Sequence, residues 1–136
     1  MSALWPVQQA LYARMTADAP LVALVSGIYD EVPEKVPAGK PYIAFAELTE
    51  KDISDHGRRA FEVMATLNIW SAYRGFAANA RVLAELDRVL HRVALDVPGW
   101  ELISIARIAD GVRRVNDPNI RQGQARFRVW VQEQEM

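Results

Sequence analysis

The chain predicts an α+β domain: a largely antiparallel sheet of about four to five strands, with a long helix and an N-terminal helix packed on one face. Three observations predict it. Residues 60–72, AFEVMATLNIWSA, alternate apolar and polar side chains without interruption, as a half-buried strand must. Residues 74–94 instead repeat their apolar positions every three or four residues, as an amphipathic helix does. The remaining apolar runs cluster into hairpin-like pairs around that helix, which favours antiparallel pairing over βαβ crossovers.

The elements follow in order. Leu4, Val7, Leu11 and Met15 form one apolar helical face, and Pro6 sits in the first turn, where its missing N–H costs nothing. Asp18 to Pro20 breaks this helix. PLVALVSG then reads as a short second helix or turn, with Gly27 as its left-handed cap. Ile28 and Tyr29 open a short strand that runs into a stiff arm carrying Pro33, Pro37, Gly39 and Pro41. Prolines lack the N–H that either a helix or a central strand requires. YIAFAELTE, starting at Tyr42, is the next strand and ends in the polar loop KDISDHGRR, residues 51–59. In the strand over 60–72, Phe61, Val63, Ala65, Leu67 and Ile69 take the core side. Glu62, Met64, Thr66, Asn68 and Trp70 take the other. The long helix is expected to bury Phe76, Ala80, Leu83, Leu86, Leu90 and Val93 before VPGW stops it. Trp100 to Ile108 reads as a strand, and DGVRRVNDPNIRQGQ as a long turn-rich connection. ARFRVWVQ reads as a final strand with Phe127, Val129 and Val131 inward.

Composition narrows the function. At 136 residues, one domain with a substantial core is expected, and 51% hydrophobic with 24% charged residues argues against disorder. With no cysteine, a disulfide framework, a zinc ribbon and thiol catalysis are excluded. No apolar run is long enough for a membrane span, and the N-terminus lacks the pattern of a signal peptide, so nothing asks for export or a membrane. The net charge of −1 conceals a split: residues 1–55 carry a balance of −4, and residues 56–136 carry +3, with every cation there an arginine. Such a split suits a nucleic-acid face, or two faces that attract each other in neighbouring copies.

Catalytic chemistry has little material. Asp52, Ser54, Asp55 and His56 are neighbours in one loop, and neighbours in sequence rarely converge on one reacting atom. His91 follows Asp87 by four residues, an ordinary helical pair. The glycines at 57, 75, 99, 111 and 123 are isolated and make no phosphate-cradling loop. No catalytic, cofactor or metal residue is expected. Nucleic-acid binding has a better case, in the arginines between 107 and 128 and in Trp70 and Trp130 on the outward phase of their strands. Against it stand a pI near 6.1, only three lysines and no aromatic–glycine pattern. Exposed tryptophan with arginine is equally the composition of a protein–protein interface.

Four stretches, in order, carry a resemblance over nearly the whole chain. They are LYARMTADAPLVALVSGIYDEVP; KPYIAFAE after the proline arm; ATLNIWSAYRG leading into ANARVLAELDRVLH; and RRVNDPNIRQGQARFRVWV. Together they resemble the tail terminator (tail completion, head–tail joining) family of long-tailed phages and of gene transfer agents. Ser26–Gly27 stands where paired glycines are common in that family, and DPNIRQG is poorer in glycine than usual. The resemblance implies a structural protein, not an enzyme, located in the tail of a virion or phage-like particle and assembled in the bacterial cytoplasm. It implies a ring, usually a homo-hexamer, capping the head-proximal end of the tail tube. Its partners would be its own copies, the tail-tube protein, and the head–tail connector or head-completion protein. DNA would pass through the ring without sequence-specific binding. Alternatives are another head-completion or tube-related protein of the same pathway, or a nucleic-acid-binding module using an exposed sheet face.

Within that reading the expected contact residues fall into groups. Asp30, Glu31 and Glu34 of the acidic half would meet Arg113, Arg114 and Arg121 of a neighbour's basic half, because closed rings use heterologous contacts. Asp52, Asp55, Arg58 and Arg59 lie in the loop that would reach an adjoining ring, and Trp70 and Trp130 mark the outward sheet face. Residues 32–41 would be a clasp across the subunit boundary, since a proline-stiffened arm loses little entropy on ordering.

Overall fold

The computed structural model describes residues 1–32, 34, 39–72 and 75–134. Among these residues are three helices, α1 (Leu4–Thr16), α2 (Ala19–Leu24) and α3 (Ala77–Leu90), and five strands. The strands are β1 (Ile28–Tyr29), β2 (Tyr42–Asp52), β3 (Ala60–Ser71), β4 (Trp100–Arg114) and β5 (Arg121–Glu133). They form one sheet in the order β1-β2-β3-β5-β4; only β1–β2 is parallel. The expected α+β fold is therefore the observed one.

All three helices lie on one face. There Phe61, Val63, Ala65, Leu67 and Ile69 of β3 and Phe127, Val129 and Val131 of β5 are buried, on the phase their alternation sets. The α1 side chains Val7, Leu11 and Met15 are fully buried against them. The helix α3 enters in a different phase from the expected one. Val82, Leu83, Leu86, Val89 and Leu90 are buried, whereas Phe76 is 40% exposed at the N-cap and Ala80 faces solvent. Burying Val82 and Val89 beside Leu83, Leu86 and Leu90 sets this phase, because five aliphatic side chains outweigh one aromatic at the helix start. Asn79 falls on the same stripe: it is fully buried, and its Nδ2 donates to the carbonyls of Ile69 (3.4 Å) and Arg121 (3.2 Å). Gly123 lies beneath: a Cβ there would come within 3.2 Å of Ile69 Cβ and 3.4 Å of Asn79 Cβ, so its lack of a side chain permits the close approach.

Polar residues fix the other helices. Glu50, on the helix-covered side of β2, accepts from the Ala3 N–H (3.0 Å) and the Ser2 hydroxyl (2.8 Å), so a carboxylate sits at the positive end of α1. Asp18 caps α2 by accepting from the Leu21 N–H at 3.0 Å. Two turn expectations change. Gly27 is not among the residues with positive φ, and α2 ends earlier, at Leu24, with an extended Val25. The constraint at Gly27 is steric, because a Cβ there would strike the Tyr29 ring. Gly99 is the left-handed one (φ +81°); with Pro98 before it and the Trp100 N–H bonded to the Val97 carbonyl, it makes the tight turn into β4.

The largest departure is at the C-terminal hairpin. Residues 110–114 and 121–124 were expected in a connection, yet they pair as strand, from Asp110↔Ala125 to Arg114↔Arg121, leaving only 115–120 as the turn. Polar, arginine-rich composition reads as loop only when the partner strand is out of view. Here β5 supplies the ladder.

Candidate assembly interface

The sheet has a helix-free face, and its two lateral edges differ. On the helix-free face lie Tyr42, Glu47, Thr49 and Lys51 of β2, Glu62, Met64, Asn68 and Trp70 of β3, and Gln122, Gln124, Arg126, Arg128 and Trp130 of β5. Its polar groups are joined across strands. Asn68 Oδ1 accepts from the amides of Gln122 (3.1 Å) and Gln124 (3.2 Å), and Trp130 Nε1 donates to Glu62 at 2.7 Å. The Arg128 guanidinium lies 4.5 Å over the Trp130 ring. Trp70 and Trp130 do face this side, half-buried, but at opposite ends of it: Trp70 is level with Gln122, and Trp130 with Glu62. Eight strand residues separate those levels, about 26 Å at the usual rise. The two rings are therefore no continuous stacking platform, and one already carries both a carboxylate and an arginine.

One lateral edge is β1 with the loop after it. Asp30, Glu31 and Glu34 are exposed there. Beside them runs a groove of about 630 Å³ between α1 and β1, lined by Trp5, Gln8, Gln9, Tyr12, Ile28, Tyr29, Asp30 and Glu31. Sequence reading of α1 concerned its inward face and missed this outward one. The available signal was Trp5 and Tyr12, seven residues apart with Gln8 between them, on a single helical stripe. Half of the proline arm, residues 33 and 35–38 of the expected clasp at 32–41, lies outside the described residues.

The other lateral edge is β4. Two bulges, at Leu102/Ser104 and Arg107/Ala109, leave Ile103 (47% exposed) and Ile108 (43%) without cross-strand partners. The chain following α3 covers a short part of this edge. Arg92 N–H donates to the Ile105 carbonyl at 2.9 Å, and His91 Nδ1 accepts from the Arg107 N–H at 3.0 Å. Arg113 and Arg114 are exposed on β4 itself and not in a connection. Arg113 Nε donates to Gln122 (2.8 Å), and Arg114 lies 5.0 Å over the Phe76 ring. Arg121 departs further from expectation. Only 7% of it is exposed, and its Nη1 donates to the carbonyls of Pro118 (3.0 Å) and Ile120 (3.1 Å), so it closes the hairpin turn from within.

The loop at 53–59 occupies the end of the sheet opposite that turn. It is built, not free. Asp52 accepts from the Ser54 N–H (2.8 Å), and Asp55 accepts from Gly57 (2.8 Å) and Arg58 (3.1 Å). Bonds from Ser54, followed by the neighbouring Arg59, hold the Asp52 carboxyl below the usual carboxylate range. The Gly57 and Arg58 N–H groups do the same for Asp55. Arg58 reaches Glu101 (3.3 Å) and Arg59 reaches Asp52 (3.1 Å), while the Arg59 backbone exchanges bonds with Glu133. The acids once considered for catalysis are thus turn-formers in an exposed tip. Among the described residues no helix is long and apolar enough to cross a membrane.

Comparison with known proteins adds to this geometry. A chain in the solved structure titled "Virion of native gene transfer agent (GTA) particle" shares the fold at a TM-score of 0.83. The match covers 93% of this chain and 94% of that one at 24% identity. No curated protein matches. The family of tail completion protein gp17 matches residues 9–132, which takes in α1 from Gln9 on, β1 to β4 and all of β5 but its last residue, and the chain belongs to that family.

Proposed function

We propose that this protein is a tail terminator: a structural, non-enzymatic component that assembles as a ring on the head-proximal end of a tail tube. There it halts tube growth and presents a docking surface to the head-side connector. The observation that carries the reading is the family match along residues 9–132, and a structural neighbour from a gene transfer agent virion supports it. The edges of the sheet suit a closed ring. The β1 edge carries exposed acids and the β4 edge exposed arginines, so one edge of a copy can meet the opposite edge of the next. A hexamer is the ring size we propose, with DNA passing through its opening unread. The reading as a nucleic-acid module is weaker on this surface, because Glu47, Glu62 and Glu101 share the helix-free face with its arginines, and carboxylates repel phosphate.

The test is deletion of the gene from its phage or transfer-agent cluster, followed by electron microscopy of the particles. Tails of irregular length that fail to join heads are expected, and purified protein should bind the matching tube protein. Normal-length, head-joined tails in its absence would sink the proposal.

A further inference from the structure

We propose that the groove between α1 and β1 is an anchoring site for the β4 edge of a second copy of this chain, with Ile108 seated against Trp5 and Tyr12. This deepens the ring reading by naming the surface that holds neighbours together. The helix α1 is apolar on two sides. Val7, Leu11 and Met15 satisfy the core, yet Trp5 remains 59% exposed and Tyr12 45% exposed on the outward stripe. Large aromatics in a concave site are the side chains that anchor protein interfaces. Asp30 and Glu31 line the same groove, and among the described residues no cation lines it.

The β4 edge has the complementary features. Ile108 projects from a bulge with no cross-strand partner, and the backbone bonds to the outer side of β4 stop at Arg107 among the described residues. Beyond it the exposed Arg113 and Arg114 follow on the same strand. Trp5 and Tyr12 are two helical turns apart, about 10.5 Å along α1. Ile108 and Arg113 are five strand residues apart, about 17 Å. With Ile108 between the aromatics, a flexible arginine side chain from 113 or 114 extends toward Asp30 and Glu31. Groove and edge sit at opposite ends of the strand order, so the contact is head-to-tail and repeats from copy to copy.

The chain has no cysteine, which makes disulfide trapping clean. Tyr12→Cys and Ile108→Cys are made separately and mixed in equal amounts under mild oxidation, in parallel with Tyr12→Cys and Ile53→Cys. Ile53 is comparably exposed but lies in the distant β2–β3 loop. The proposal expects covalent heterodimer from the 12/108 pair at least tenfold faster than from the control pair, and a ladder of oligomers from the double variant. It also expects Trp5→Ala to raise the dissociation constant for self-association at least tenfold while the circular dichroism spectrum is unchanged. Equal rates in the two mixtures, dominant Tyr12→Cys self-pairing, or a monomer at every concentration would overturn it. Binding to the tube protein is scored separately. A ring that binds tube without 12/108 trapping removes this groove and leaves the terminator reading; trapping without tube binding does the reverse.

Discussion

Asp18 ends one helix, begins the next and ties both to a third. It caps α2 through the Leu21 N–H and accepts two bonds from Arg88 on α3, at 3.2 and 2.6 Å. The Arg88 hydrogen bond lowers its pKa below the ordinary aspartate value, assisted by the Leu21 N–H and opposed by partial burial. A depressed folded-state pKa gives stability that is present above the unfolded pKa near 4 and is lost as pH falls through the folded value. Asp18→Ala should therefore cost about 1 kcal/mol at pH 7 through the lost cap. Asp18→Asn, which can still cap, should cost less, and its deficit should shrink on acidification toward pH 3. Urea unfolding of the three proteins at both pH values measures this, and an Asn deficit as large at pH 3 as at pH 7 would rule out the carboxylate as its source. Residues of this kind were only partly legible. Asp18 was readable as a helix breaker because a cap is local in sequence. Glu50 and Asn79 were not, since Glu50 satisfies an N–H 47 residues away and Asn79 bridges two strands, one of them 42 residues on.

Elements were legible where their pattern is local and illegible where a partner decides. The alternation of β3 set its inward face correctly because a strand covered on one side only has just two phases. The outer reach of β4 and β5 was lost because pairing across a hairpin overrides turn-prone composition. The phase of α3 was misread at Phe76 and Ala80 because Val82 and Val89, with the leucines beside them, claim the sheet-facing stripe. The β2–β3 loop lies between these cases: its polarity was evident, its internal bonding was not. Replacing residues 53–58 by a tight turn should remove the Asp55 bonds and the Arg58–Glu101 pair, yet leave β3 and β5 paired. Thermal unfolding should then show a smaller loss than Leu86→Ala, a fully buried residue whose truncation is worth about 2–5 kcal/mol. Binding to tube or connector protein should fall if the tip is a contact element. A stability loss matching that of Leu86→Ala would make the loop part of the fold's support instead.

At the scale of the molecule, the separation of charge is spatial as well as sequential. Four strand spacings lie between β1 and β4, about 19 Å, so Asp30 and Glu31 cannot pair with Arg113 and Arg114 of their own chain. Each set is exposed at its own edge, where a neighbour can reach it. Replacing Arg113 and Arg114 by Glu should thus weaken ring assembly by placing like charges together at every repeated contact. Each such contact costs on the order of 1 kcal/mol, enough to shift a weak equilibrium. The change also removes the Arg113–Gln122 bond and the Arg114–Phe76 contact within the chain, so circular dichroism must first show an intact fold. Reversal of Asp30 and Glu31 to Lys in the same chain then separates the two effects. It cannot restore a lost intramolecular contact, but it can restore an intermolecular attraction. Sedimentation of wild type, the arginine variant and the doubly reversed protein at low and moderate salt should show assembly lost in the second and partly regained in the third. The differences should be largest at low salt, where screening is weakest. Equal ring populations in all three would mean that the arginines do not face the acids of a neighbour. An arginine variant that keeps its rings but changes DNA retention would instead assign Arg113 and Arg114 to the channel wall.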